Sequence, residues 1–283
     1  MLDYPIVDTH VHLWDPKRLR YRWLDGINKL NRPYLPADYD AACGAVHVEK
    51  FVFVQCDCLP EQNLAEVAFV DDLAEKDPRI AGIVAYAAVD RGGVRDDLQK
   101  LAQHQRVKGI RRLLQGEADN AFCLRPEFLE GVAQLAEFNL SFDICIKHPQ
   151  LAACVKMVRS VPQVQFVLDH IGKPDIKSQL FDPWKADIAE LASLPNVSCK
   201  ISGLVTEADM ENWSGEQLQP YIDHVLDSFG PRRVMFGSDW PVVLLASTYE
   251  RWVNTLFAAV ENRPANDRRR LFHENALALY RLE

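Results

Sequence analysis

The 283-residue sequence predicts an α/β protein folded as a single (β/α)8 TIM barrel, on three observations. Eight short apolar runs recur along it, segments of helical period lie between them, and polar residues gather where the runs end. Strands that are nearly all apolar and alternate with helices imply a parallel sheet covered by helices, and eight such units imply a closed barrel. A doubly wound open sheet is the weaker reading, because no Gly-x-Gly-x-x-Gly follows a strand.

The first strand, Ile6–His10, ends in Asp8-Thr9-His10-Val11-His12. Alternate side chains share a strand face, so Asp8, His10 and His12 are expected to project together, with two imidazoles converging as a metal ion requires. The loop from Trp14 to about Pro36 is long and bulky, carrying Trp14, Tyr21, Trp23 and Tyr34 with Arg20 and Arg22. Long loops at a barrel mouth shape the pocket, which makes Trp14, Trp23 and Arg22 expected substrate contacts. The second and third strands are Phe51–Gln55 and Ile80–Val89. Cys56-x-Cys58 follows the second without another closely spaced pair, and reads as buried strand cysteine rather than a metal site.

In the fourth strand, Lys108–Leu114, either Arg111 or Arg112 must face the interior. We assign Arg111, whose guanidinium would hold a substrate carboxylate or polarise a carbonyl. Lys108 lies too early in that strand to bridge two metals, which argues against a binuclear lysine-carbamate centre. The fifth strand, Leu140–Lys147, is read with Phe142, Ile144, Ile146 and then His148 on the inward parity. The sixth, Val164–His170, is read inward at Phe166, Leu168 and His170. The seventh, Val197–Ser202, contains Lys200, and Gly203, Thr206, Glu207 and Trp213 follow it; Lys200 and Glu207 join the expected substrate contacts. The eighth, Val234–Ser238, leads through Met235 and Gly237 to Asp239.

Two helices carry clear start signals. Leu218, Tyr221, Ile222, Val225, Leu226 and Phe229 form one apolar face behind a capping box of Ser214 and Gln217. Ser247 and Glu250 offer the same box ahead of Trp252, Val253, Leu256, Phe257 and Val260. With 48% hydrophobic residues and no linker, repeat or low-complexity tract, residues 1–283 read as one domain. Arg268-Arg269-Arg270 reads as a solvated helix face.

A net charge of −8 and a pI near 5.5 argue against a nucleic-acid partner and suit a small polar or uncharged substrate. The chain enters Tyr4-Pro5-Ile6-Val7 without a leader signature, and no apolar run approaches membrane-spanning length. Seven scattered cysteines, an odd number, suit a reducing compartment. A cytoplasmic enzyme with no membrane partner is expected; the sequence leaves the oligomeric state open.

His10-x-His12, Phe166-Val167-Leu168-Asp169-His170-Ile171-Gly172-Lys173-Pro174, Lys200-Ile201-Ser202-Gly203-Leu204 and Phe236-Gly237-Ser238-Asp239-Trp240-Pro241 together resemble the amidohydrolase superfamily. The likeness covers essentially the whole chain and is nearest to the branch of sugar-acid lactonases and 2-pyrone-4,6-dicarboxylate lactonase. It implies hydrolysis of a lactone ester, with Asp239 as general base, His10 and His12 as strand-one groups and His170 near the reacting carbonyl. The superfamily's bridging lysine is missing, so the resemblance implies at most one divalent metal, zinc or manganese, on His10, His12 and Asp239. Members of the branch also act without a firmly bound metal.

The expected reaction combines Asp239 as base with Arg111, His170 and His148 around the substrate, His148 orienting it or protonating the leaving hydroxyl. A dicarboxylate would call for several pocket arginines, whereas only Arg111, Arg20 and Arg22 offer themselves. The tryptophans and the stretch Lys200-Ile201-Ser202-Gly203-Leu204-Val205-Thr206-Glu207 resemble the members of the branch that hydrolyse L-fuconolactone and L-rhamnonolactone, and this resemblance favours a neutral deoxy-sugar lactone. The alternatives are a 2-pyrone-4,6-dicarboxylate-type lactonase, a zinc-dependent decarboxylase of the same superfamily, and a non-enzymatic barrel that binds a sugar acid or a metal and signals to a partner.

Overall fold

In the computed structural model, which describes residues 4–282, eight parallel strands pair in chain order. They are β1 (Ile6–Val11), β2 (Val48–Val54), β3 (Ile80–Ala85), β4 (Val107–Ile110), β5 (Ser141–Ile144), β6 (Phe166–Leu168), β7 (Val197–Ile201) and β8 (Val234–Phe236). The seam between β8 and β1 is closed just above the strands. Asp239 N donates to His10 O at 2.9 Å, His12 N to Trp240 O at 2.7 Å, and Thr9 Oγ1 to Phe236 O at 2.6 Å. The barrel's closure and the position of Asp239 thus depend on the same bonds.

A helix follows each strand, from Pro36–Cys43 after β1 to Tyr249–Ala259 after β8. Gly215–Phe229 starts at the expected capping box, Ser214 N donating to Gln217 Oε1 at 3.2 Å. The next helix is capped one residue later than expected. Thr248 Oγ1, not Ser247, accepts the backbone N–H of Arg251 at 3.1 Å, while the Glu250 carboxylate accepts Ala45 N across the helix pair.

Each strand has an outer face toward the helices and an inner face toward the barrel axis. Phe142 and Phe166 belong to the outer layer, where Phe142 packs edge-on against Phe128 with centroids 5.8 Å apart. The lower interior is an apolar plug of Val7, Val52, Val54, Val84, Val167 and Met235, with Tyr280 and Leu282 of the C-terminal segment against it. Above the plug the interior becomes ionic. No helix among the described residues is long and apolar enough to cross a membrane.

Candidate active site

Three imidazoles surround one carboxylate at the C-terminal mouth of the barrel. Asp239 Oδ1 lies 3.4 Å from His12 Nε2, 3.8 Å from His10 Nε2 and 4.0 Å from His170 Nε2. Burial alone would raise the Asp239 pKa, but its interactions with His170, His12 and His10 outweigh it, holding the group below the usual carboxylate range. Burial lowers all three histidines, His170 to about 4 and His10 well below its ordinary value. At neutral pH the cluster is one carboxylate among neutral rings.

The rings are oriented by their remaining nitrogens. His12 Nδ1 bonds Val54 O at 2.7 Å, which places the proton there and leaves the Nε2 lone pair toward Asp239. His10 Nε2 accepts from Arg111 at 3.2 Å, and its Nδ1 faces Asp169 Oδ1 at 3.4 Å. His170 Nδ1 meets Ser202 Oγ at 2.9 Å. Ligand atoms of His10, His170 and Asp239 all lie within 4.8 Å of one another, and His12 joins the set through Asp239. Neutral imidazoles plus one ionised carboxylate form a donor set suited to a divalent ion such as zinc, so the residues present fit a mononuclear site.

His170 reaches this cluster through backbone geometry. His170, Ile171, Gly172 and Lys173 have φ of 53°, 49°, 74° and 48°, four consecutive left-handed residues. Each non-glycine residue in that region costs roughly 1–2 kcal/mol, so the turn must be held from outside. Trp184 Nε1 donates to Ile171 O at 2.7 Å, and Lys173 N to His170 O at 2.9 Å. Gly203, at φ 67°, gives the ring room: a Cβ there would sit 2.6 Å from His170 Nδ1.

Below the cluster lies a buried ionic network. Lys200 Nζ is 2.7 Å from Asp143 Oδ2 and 3.0 Å from Asp169 Oδ1, and all three side chains are fully buried. Arg111 NH1 bonds Asp169 Oδ2 at 3.2 Å and NH2 bonds Gln55 O at 2.6 Å, while Tyr280 OH donates to Asp143 at 2.8 Å. Burial pushes Asp169 up, yet Lys200, His10 and Arg111 together bring it well below its ordinary value.

A cavity of about 210 Å³ opens beside the cluster, with His12, His170, Asp239, Arg111, Trp23 and Lys173 in its wall. Trp23 is fixed by its Nε1 bond to Cys56 O at 2.8 Å. Several expected site residues lie elsewhere. Asp8 is turned away from the mouth by a register shift between Asp8 and Val11, and accepts from the Tyr39 and Tyr249 hydroxyls at 2.9 and 3.2 Å.

His148 lies outside the cavity because β5 has the opposite parity from that expected: Ser141, Asp143 and Cys145 face inward and Phe142 and Ile144 outward. His148 instead begins a short turn beside Asp187, its N–H on Lys173 O at 3.3 Å. In β6, likewise, Phe166 and Leu168 face the helices while Val167 and Asp169 point in.

Lys200 is engaged by two carboxylates beneath the cavity and does not line it. Trp14 is fully buried behind Trp23, with Nε1 on Arg32 O at 2.9 Å. Arg22 is exposed outside the cavity, and Glu207 lies at its rim, 3.8 Å from Lys173 Nζ. Arg20 pairs with Asp25 at the surface, and Cys56 and Cys58 are buried. The reading from sequence missed Asp143 and Asp169; their signal was a carboxylate inside an otherwise apolar strand.

Residues 7–282 match the amidohydrolase family Amidohydro_2. Over 276 residues the chain is 34% identical to an L-fucono-1,5-lactonase of Burkholderia multivorans, with 90% of each protein covered. It is 22% identical over 341 aligned positions to an L-rhamnono-gamma-lactonase of Scheffersomyces stipitis, with 100% of each covered. A crystal structure of an amidohydrolase from Burkholderia multivorans with bound zinc superposes with a TM-score of 0.89 at 33% identity, covering 99% of this chain and 100% of that one.

Proposed function

Because the chain belongs to the amidohydrolase family, we propose that it hydrolyses a neutral sugar-acid lactone, of the deoxy-sugar type represented by L-fuconolactone and L-rhamnonolactone. The observation that carries this reading is an ionised Asp239, ringed by neutral imidazoles, in the wall of a cavity shared with an aromatic face. The substrate is small, and an indole beside polar groups suits a polyol ring.

In the proposed reaction Asp239 takes a proton from water as the water oxygen attacks the lactone carbonyl. Positive charge for the developing oxyanion comes from Arg111, held in place by Asp169 and Gln55. When the ring C–O bond breaks, the proton on Asp239 passes to the leaving oxygen and the product is the open hydroxy acid. Asp239 covers both transfers, which leaves no role for the distant His148. A divalent ion held by His10, His12, His170 and Asp239 would lower the pKa of a water and polarise the carbonyl.

Selection of a neutral substrate is supported by the charges in the cavity wall. Arg111 and Lys173 are its cations, and both already have partners, Arg111 in Asp169 and Lys173 in Gln115 at 2.6 Å and Glu207. Neither Arg20 nor Arg22 adds to them.

The test is acid release from a panel of aldonolactones and 2-pyrone-4,6-dicarboxylate, using protein as purified, chelated, or supplied with zinc or manganese. Rapid turnover of a deoxy-sugar lactone is expected, falling about 10²- to 10⁴-fold in Asp239→Asn. Silence on every lactone together with carbon dioxide release from aromatic acids would overturn the reading, as would an Asp239→Asn protein with full turnover.

A further inference from the structure

We propose that Asp57 selects the substrate of this cavity, by accepting hydrogen bonds from ring hydroxyls and repelling ligands that carry an anionic group at that position. The inference rests on the lactonase reading and adds the residue that recognises the sugar.

Asp57 belongs to the same cavity wall as Asp239 and Trp23. Its backbone has φ 55°, a left-handed conformation that side-chain-bearing residues adopt at a cost. The conformation is built in from three sides. Asp57 N donates to Gln55 Oε1 at 2.5 Å, and the amide of the same Gln55 reaches Arg111 O at 3.4 Å. The preceding residue is clamped at both backbone atoms: Cys56 N donates to Glu66 Oε1 at 3.1 Å, and Cys56 O accepts Trp23 Nε1 at 2.8 Å. A strained turn fixed to the arginine of the site on one side and to the tryptophan of the cavity on the other sets where the exposed Asp57 side chain leaves the backbone, in the cavity wall.

The carboxylate held there makes no hydrogen bond or ion pair among the described residues. Its neighbours in the wall are already paired: Gln115 Oε1 accepts from Lys173 at 2.6 Å and from the Cys145 thiol at 3.6 Å, and Arg111 is held by Asp169 and Gln55 O. Apart from the base Asp239, whose carboxylate faces the three imidazoles, Asp57 is therefore the carboxylate in this wall that is open to a substrate donor. A carboxylate can accept from two adjacent hydroxyls, as a sugar diol provides, whereas it disfavours a substrate carboxylate by like-charge repulsion.

Two variants test this without disturbing the turn. Asp57→Gly accepts the left-handed φ and removes the side chain; Asp57→Asn also tolerates that φ and keeps an acceptor while removing the charge. The readout is the ratio of kcat/KM for the deoxy-sugar lactone to kcat/KM for hydroxyl-free δ-valerolactone. In Asp57→Gly this ratio is expected to fall at least tenfold, mainly through KM, the size of a lost hydrogen bond to a charged group. In Asp57→Asn the fall is smaller, and binding of 2-pyrone-4,6-dicarboxylate tightens.

A ratio unchanged in Asp57→Gly overturns the proposal. Calorimetry with the non-hydrolysable lactam of the same sugar separates it from the lactonase reading. Lactam binding that weakens in Asp57→Gly, in a protein that opens no lactone, removes the hydrolase and keeps the recognition site. Lactam binding that is absent from the unmodified protein, or indifferent to Asp57, removes the recognition site.

Discussion

Replacing Lys200 by methionine tests the ionic floor of the site. The ammonium lies 2.7 and 3.0 Å from two carboxylates, with no exposure on any of the three side chains. At an effective dielectric of about 20 each contact is worth roughly 6 kcal/mol of Coulomb energy, much of it cancelled by the cost of burying the charges. Methionine keeps the apolar stem and leaves both carboxylates short of a cation, so the expected destabilisation at pH 7 is about 3–5 kcal/mol.

Its pH dependence has a definite sign. In the native protein Asp169 is held well below the ordinary carboxylate range, and its stabilising contribution, present above the unfolded-state pKa, is lost only as pH falls through the folded one. Without Lys200 the pKa of Asp169 rises, and that of Asp143, already raised by burial, rises further. Asp143 must then bind a proton to stay buried, and Asp169 keeps Arg111 alone as its cation, so the loss is largest at pH 7 and progressively smaller toward pH 4. Urea unfolding of the two proteins at several pH values between 4 and 8 reads this directly. A stability difference below about 1 kcal/mol, or one that does not shrink with acidification, refutes the assignment of Lys200 as the counter-ion of both carboxylates.

Other perturbations have equally definite outcomes. Burial lifts Glu66 to about 7, so its ionisation destabilises the fold progressively from about pH 4.5 to 7; Glu66→Gln should gain about 3 kcal/mol at pH 8 and nothing at pH 4, measured by urea midpoints. Gly203→Ala places a Cβ against the His170 ring at a backbone φ of 67°, and should lower kcat at least tenfold while costing about 1–2 kcal/mol of stability. Zinc titrated into chelator-treated protein should raise Tm with metal concentration, and the rise should vanish in Asp239→Asn, which differential scanning calorimetry follows.

The barrel was legible because its signal is repetitive: each strand is short and apolar, and each is followed by a helix of period 3.6. The inner face was harder to read. In β5 and β6 both faces are buried, so Phe142 and Phe166 fit a helix-facing layer as well as an interior one, and hydrophobicity alone does not distinguish them. The buried carboxylates of Asp143 and Asp169 do distinguish them, since a charge in such a strand needs the partners that only the barrel interior supplies. His10 and Asp239 could be placed from their strands, and Arg111 by a choice between two neighbours. The site of His170 follows from a left-handed turn, and the burial of Trp14 from a loop that folds back so that Trp14 N bonds Tyr34 O at 3.0 Å; neither has a periodic signature.

The four-residue turn from His170 to Lys173 joins two jobs at one corner. Its first residue belongs to the cluster around Asp239, and its last extends an ammonium into the cavity wall toward Gln115. With the backbone between them wound left-handed and pinned by Trp184, neither end moves without the other. An attempt to retarget the enzyme by randomising Lys173 would therefore trade away rate along with selectivity. Libraries that leave this corner alone and vary Val242 or Leu113, carried on separate loops of the same wall, are the more productive route to new substrates.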